Sequence, residues 1–380
     1  MNIDFHYYAT YCAAYLAGYS HNESLDICYS AQFVDCCSKS FLDHIDGPEK
    51  AATTQLQLEL INHSTDVFGL QDITRIWSSF HFLPGNLNTD FKRNKTYKQK
   101  YQLICKPNSE LLKDTVELAH NQSLQHVGMA MHILADTWAH QNFAGTPSLV
   151  VNNTTDYFYE IKEDGQEIKI NFNHNPATKD KIEKLEYTNS VYTSNENSVM
   201  NLGHGRAGHL PDYSFIKYKY LPAWNDYNEL IKDNPSDYWH AFCQMVYAMK
   251  YCRNDFDTFE LDTYAFDQVE KYKEEIQSIF NKRQLDDSLD FKKLAETISG
   301  QTIPDFDLNL YVDEYLTSSN KDETFLGKFI NAALKQKGMV TTKIFNSGNK
   351  LAGISVSYHK SGLQRVKDFI KLHTTKKVEV

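Results

Sequence analysis

Residues 132–140 read His132-Ile133-Leu134-Ala135-Asp136-Thr137-Trp138-Ala139-His140. The run holds no proline or glycine and is rich in helix formers, which predicts a helix. At 3.6 residues per turn, Asp136 lies about 40° around the axis from His132 and His140 about 80°. The three side chains therefore share one face, stacked turn upon turn. Two imidazoles and a carboxylate in one stripe suit zinc, which takes nitrogen and oxygen ligands at roughly 2.0–2.2 Å. A central aspartate can offer one oxygen to each of two ions. The plain alternative is a helix with a solvated i,i+4 ion pair. His120 and His126 lie about 120° to either side of the stripe and read as packing residues or as supports behind the ligands.

Working outward, the helical pattern runs from about 110 to 142, interrupted only by Gly128 and ended by Gly145-Thr146-Pro147. Upstream, residues 5–17 form a helix that stops at Gly18. Ser20-His21-Asn22-Glu23 then fits a capping box that opens a second helix, to about Ser38, carrying Asp35. Residues 50–79 read as helical until Phe80-His81-Phe82-Leu83-Pro84-Gly85, and residues 90–101 as a basic, solvated loop. Downstream, residues 156–172 change to a period of two around Asp164-Gly165, a β-hairpin inserted in a helical chain. Residues 174–200 are polar and weakly patterned. Helices resume near 236–255 and 262–282, the Asp286–Asp290 run marks a boundary, and shorter helices follow at 291–298, 323–336 and 361–373. The expected fold is all-α: a metal-binding helical domain over 1–285 with a hairpin insertion, and a helical C-terminal extension over 286–380.

The chain has 380 residues and a net charge of −10. Such a negative field disfavours general nucleic-acid binding. The N-terminus has no basic n-region and apolar h-region, and no run of 18 or more apolar residues is present. Seven cysteines, without C-x-x-C, read as reduced packing thiols. A cytoplasmic protein as synthesised is the expectation, with leaderless export left open.

A second cluster is His204, His209 and Asp212, in a loop whose glycines let the backbone fold around an ion. The same loop spells G-x-G-x-x-G from Gly203 to Gly208. No hydrophobic strand leads into it and Pro211 follows it, so a nucleotide fold is rejected. His6, Asp35 and His81 are single candidates.

Together these residues carry a resemblance. An N-terminal His6, Asp35 on the next helix, the His132-x-x-x-Asp136 helix followed by His140, and a later His/acid cluster resemble the zinc-dependent phospholipase C and P1/S1 nuclease superfamily over roughly residues 1–255. Phe80-His81-Phe82-Leu83-Pro84 is similar to uncharacterised bacterial relatives. The resemblance implies a mostly helical fold with two or three zinc ions in a cleft. It implies that His6 binds the ion bridged through Asp136, and that Asp35, His81, His132 and Asp136 bind a second. His140 would bind a third with His204 and either His209 or Asp212. Asp35 would also act as general base, and Arg206 would contact a phosphate oxygen. That family begins with a tryptophan that binds metal; here either Asp4 substitutes or one ion is lost. The implied activity is phosphoester hydrolysis, on phospholipid headgroups rather than nucleic acid, with peripheral membrane contact. The alternatives are a metal hydrolase of the same fold with another substrate, and a non-catalytic helical interaction protein.

Overall fold

The computed structural model describes residues 1–55, 67–89, 94–174, 178–189, 203–285 and 289–354, with the side chains of 67–70 excepted. The chain is mainly helical. Its principal helices are α1 (Thr10–Leu16), α2 (His21–Phe33), α3 (Lys39–His44), α4 (Val67–Phe80), α5 (Lys95–Gln102), α6 (Glu110–Ala119), α7 (Leu124–Ala139), α8 (Asn234–Cys252), α9 (Lys273–Asn281), α10 (Asp290–Ser299), α11 (Val312–Thr317) and α12 (Phe325–Asn346). No helix among the described residues is long and apolar enough to cross a membrane.

Helix α7 is the axis of the molecule. It is buried from Gln125 through Ala139, as expected of a helix that is apolar nearly all round. Helices α2, α6, α8 and α12 pack against it. The long pattern from 110 is in fact two helices. Asn121 takes a positive φ of 58°, a conformation asparagine tolerates, and breaks the run between α6 and α7. The capping box is present: the Ser20 side chain accepts from the Glu23 amide, and Glu23 accepts from the Ser20 amide at 2.8 Å. Helix α2 nevertheless stops at Phe33, so Asp35 sits in the turn beyond it. Of residues 90–101, read as a loop, 90–93 lie outside the described residues and 95–101 belong to α5. Asn94 caps it and Tyr97 and Gln102 are buried.

The hairpin appears as β1 (Tyr159–Ile161) and β2 (Glu167–Lys169), antiparallel across the Gly165 turn. It belongs to a larger sheet. Strands β5 (Lys217–Tyr220) and β6 (Leu230–Asp233) extend it in the order β2-β1-β5-β6, and β3 (Asn171–Asn173) pairs in parallel with β4 (Glu186–Thr188). These short strands were hidden because Tyr and Lys alternate in β5 without an apolar run. They build a second, aromatic core of Phe158, Tyr187, Tyr218 and Tyr220, which reaches the helical layer through Phe82 and Phe143. Arg283 fastens it there, bonding both Glu160 oxygens at 2.8 and 3.0 Å and the Ile182 carbonyl at 2.9 Å.

Residues 291–354 share the main core. Phe291 packs on Phe5 and Phe280, and Phe329, Ala333 and Val340 of α12 are buried in the same cluster as Phe33 and Ile133. The Asp286–Asp290 run thus divides no core from another. Residues 361–373, expected to be helical, lie outside the described residues. All seven cysteines are free thiols.

Gly128 sets how closely α2 and α7 approach. A Cβ there would lie 2.3 Å from the Ile27 carbonyl oxygen and 2.6 Å from Ser30 Cβ. Helix propensity alone would make Gly128→Ala stabilising by about 1 kcal/mol. The clash with backbone should exceed that gain, because overpacking costs about 1–3 kcal/mol. Urea unfolding should show Gly128→Ala less stable than the parent, and Gly128→Val less stable still. A raised midpoint for Gly128→Ala would contradict this packing.

Candidate metal centre

Seven side chains from separate parts of the chain gather with Asp136. His6 comes from the first, π-wound turn Asp4–Ala9, a widened geometry that recurs at functional sites. Asp35 follows α2, His81 follows α4, and His132 and Asp136 lie one turn apart on α7. His140 is the C-cap of α7. His204 opens a short helical turn and Asp212 ends the turn Leu210–Asp212. Gly208, at φ 60°, makes that loop possible; a Cβ there would lie 2.1 Å from the Thr188 carbonyl oxygen.

The two oxygens of Asp136 face different groups. Oδ1 is 3.2 Å from His6 Nε2, and 3.1 Å from the Met1 amino nitrogen. Oδ2 is 3.2 Å from both His81 Nδ1 and His132 Nε2. Asp35 spans the same two groups, with Oδ1 at 3.7 and 3.8 Å from His81 and His132 and Oδ2 at 3.9 Å from His6. A third group is His140, His204 and Asp212, whose Oδ1 is 3.4 and 3.3 Å from the two Nε2 atoms. Donor atoms on a tetrahedron of zinc-ligand radius would be about 3.3–3.4 Å apart. The Asp136 and Asp212 spacings match such an edge and those of Asp35 are a few tenths of an ångström longer; the donor atoms fall into three groups, His6/Asp35/His132, His81/His132/Asp136 and His140/His204/Asp212.

Hydrogen bonding fixes the tautomers. His81 Nε2–H donates to the Thr53 carbonyl at 2.9 Å, because a carbonyl can only accept. In its neutral form the ring turns the Nδ1 lone pair toward the Asp136 carboxylate; in its charged form Nδ1–H donates to it. His140 Nδ1–H donates to the His81 carbonyl at 2.7 Å and leaves the Nε2 lone pair toward Asp212. Lone pair against carboxylate is repulsive unless a proton or a cation lies between them. The nitrogens of His6 and Nδ1 of His132 are buried without a hydrogen bond. Backbone carbonyls that orient ligand imidazoles are a recurrent support of metal sites. By donor type, spacing and orphaned nitrogens, these residues fit zinc.

The electrostatics agree. Burial opposes ionisation of Asp136, yet His140, the Met1 ammonium and His132 hold its carboxyl well below the usual range. Asp212 is likewise lowered against burial, chiefly by His204 and the Met1 ammonium. Burial, with His132 and the Met1 ammonium, pushes His6 down to about 3. Burial also lowers His140, while at His81 the opposing pull of Asp136 wins and raises it. Burying several carboxylates together is costly without cations.

Of the residues singled out in the sequence, His6, Asp35, His81, His132, Asp136, His140, His204 and Asp212 converge. His209 does not. Its side chain is 59% exposed and 3.8 Å from Asp212, on the outside of the triad, so Asp212 is the third-set acid. Arg206 is buried against Asp156 at 3.3 Å rather than placed among the donor sets. Asp4 does not stand in for a terminal ligand; it is buried toward the start of α10, 3.5 Å from the Phe291 amide. The Met1 amino group lies there instead, 3.4 Å from Asp212 as well. The sequence signal for it was His6, only five residues on, which draws the first turn to the cage. His120 stacks on Tyr251 and His126 meets Ser123, both apart from the cage. Phe82 stacks on His140 and meets His204 edge-on, which fixes both rings.

Comparison with known families gives one match: residues 1–344 fit the family described as "Family of unknown function (DUF6765)", and the chain belongs to that family. No curated protein and no solved structure matches significantly.

The shifted groups predict that the metal-free protein, prepared with chelator, is acid-labile. Between pH 6.5 and about 3 the unfolded chain protonates His6 and the native chain does not. Stability is therefore lost as pH falls through that window, and Asp136 adds to the loss below it. His81 works the other way, losing its contribution as pH rises past its own raised pKa. Melting of the chelated protein should drop steadily from pH 6.5 to 4, and His6→Asn should flatten that slope. A flat profile in the parent would contradict the burial of a neutral His6.

Proposed function

We propose that this protein is a zinc-dependent phosphoester hydrolase of the phospholipase C type, using two or three ions held by the Asp136 cage. The observation that carries the proposal is the convergence of imidazole nitrogens on the Asp136 and Asp212 carboxylates, with His81 and His140 each held by a backbone carbonyl at one ring nitrogen so that the other faces a carboxylate. His81, His132, Asp35 and Asp136 would hold one ion; His6 and the other oxygens of Asp35 and Asp136 a second; His140, His204 and Asp212 a third. Zinc supplies Lewis-acid polarisation of a phosphoryl oxygen and a water acidic enough to attack at neutral pH.

The chain's own residues do the rest. Asp136 is nearly fully buried, so it serves only as an internal bridge. Asp35 is 32% exposed and touches both neighbouring sets, which suits it to accept the proton of an incoming water. The Thr53 and His81 carbonyls hold two imidazoles in their ligating tautomers and keep them from rotating. Phe82 and Phe143 wall the third set with apolar surface and limit the water that reaches it. The acidity of the chain favours lipid headgroups over nucleic acid, because charge repulsion acts on a polyanion along its length. Contact with a membrane would be peripheral.

The purified protein should hydrolyse short-chain phosphatidylcholine or a generic phosphodiester with zinc bound. Asp136→Asn should lower kcat/KM by more than about 100-fold, beyond the loss usual for an outer support of a metal ligand. It should also remove more metal than His140→Ala, which touches one set only. Equal metal loss in both variants would contradict the bridge. Full zinc content with no turnover of phosphatidylcholine, single-stranded RNA or a generic phosphodiester would contradict the activity and leave a metal site serving another substrate.

A further inference from the structure

A cleft of about 430 Å³ opens between α4, α12 and the turn Glu49–Ala51, and none of its lining residues belongs to the cage. Its charged lining is Lys39, Lys50, Arg75 and Lys337 against Glu49 and Asp72, an excess of two positive charges in a chain of net charge −10. Lys337 is the telling member. Its ammonium donates to the Lys50 and Ala52 carbonyls at 2.7 and 2.6 Å and has no carboxylate in salt-bridge range among the described residues. Two of its three donors are used. Burial lowers its pKa to about 8. A desolvated ammonium without an acid is costly unless something supplies the counter-charge. Thr341, also in the lining, has its hydroxyl oxygen buried with no hydrogen-bond partner among the described residues. Leu334 is 40% exposed beside them, and a Cβ on Gly338 would meet nothing within 4 Å, so one wall is apolar and open.

We propose that this cleft is a binding site for a phosphate monoester. Lys337, Lys50 and Arg75 supply the cationic contacts, Thr341 a hydroxyl donor, and Leu334 a seat for an apolar substituent. A phosphate monoester carries about −1.5 to −2 charges at neutral pH, which matches the excess; a carboxylate would leave half of it unpaired. The guanidinium fork of Arg75 suits two phosphate oxygens. Asp72, which bonds Arg75 at 3.0 Å and lies 3.5 Å from Lys39, competes for the same cations and weakens the site. The cleft is also tied to the cage. Lys337 holds the Ala52 carbonyl, and the next residue, Thr53, holds His81.

The site does not depend on the hydrolase reading, and its test separates the two. Calorimetry of the purified full-length protein with inorganic phosphate and with glycerol phosphate should show saturable binding. Lys337→Met, and the exposed and folding-neutral Lys50→Ala, should weaken it by about tenfold each, as loss of a charge-assisted contact does. Asp72→Asn should tighten it. Asp136→Asn and His140→Ala should leave it unchanged. Vesicles of phosphatidic acid in phosphatidylcholine, set against phosphatidylcholine alone, distinguish the source. Capture sensitive to Lys50→Ala marks a lipid headgroup, and binding of soluble phosphates alone marks a free phosphate. No saturable phosphate binding would overturn the proposal. So would binding that Asp136→Asn abolishes and Lys50→Ala spares.

Discussion

A buried carboxylate cannot stay ionised without compensation, and the centre of this protein is organised around that constraint at Asp136. The side chain is 1% exposed on a helix that is mostly apolar. Nitrogen atoms from His6, His81 and His132 and from the Met1 amino group lie within 3.2 Å of its two oxygens. Yet the histidines are not simple donors to it. Nε2–H of His81 is committed to Thr53, Nδ1–H of His140 to the His81 carbonyl, and burial pushes His6 far below neutral pH. The neutral rings of His6 and His140 facing carboxylates leave a space that suits a cation, and the Asp136 and Asp212 spacings suit zinc.

The fold delivers these groups by packing rather than by local sequence. Gly128 lets α2 approach α7 closely, and so the turn after α2 brings Asp35 over His132. The strap ending at Thr53 ties the two upstream ligands together: its amide donates to the Cys37 carbonyl, two residues past Asp35, and its carbonyl accepts from His81. The third set joins two cores. His140 belongs to the helical layer, whereas His204 and Asp212 ride on the loop that leads into the sheet. Aromatic contacts of Phe82 and Phe143 span that seam.

The helical stripe His132, Asp136 and His140 was legible because helical spacing is fixed by the backbone alone. So were the capping box at Ser20 and the hairpin turn at Gly165. The chain's mainly helical character also followed from periodicity. What sequence concealed was set by longer-range contacts. The break at Asn121 was announced only by the polar run His120-Asn121-Gln122-Ser123, which lacks the proline or glycine that usually ends a helix. The end of α2 before Asp35 depends on the strap at Thr53, which is distant in sequence. Helix α5 was hidden by its lysines, though Tyr97 and Tyr101 give it an inward face. The choice between His209 and Asp212 lay in the direction of a short loop, which no spacing rule encodes.

The most direct test of the cage is anomalous diffraction at the zinc edge, on crystals of protein purified without chelator. The account predicts two or three peaks, each within coordination distance of one donor set: His81 with His132, His6 with Asp136, and His140 with His204 and Asp212. A map with no peak in the cage, and with the His81 and His140 rings protonated against Asp136 and Asp212, would contradict it.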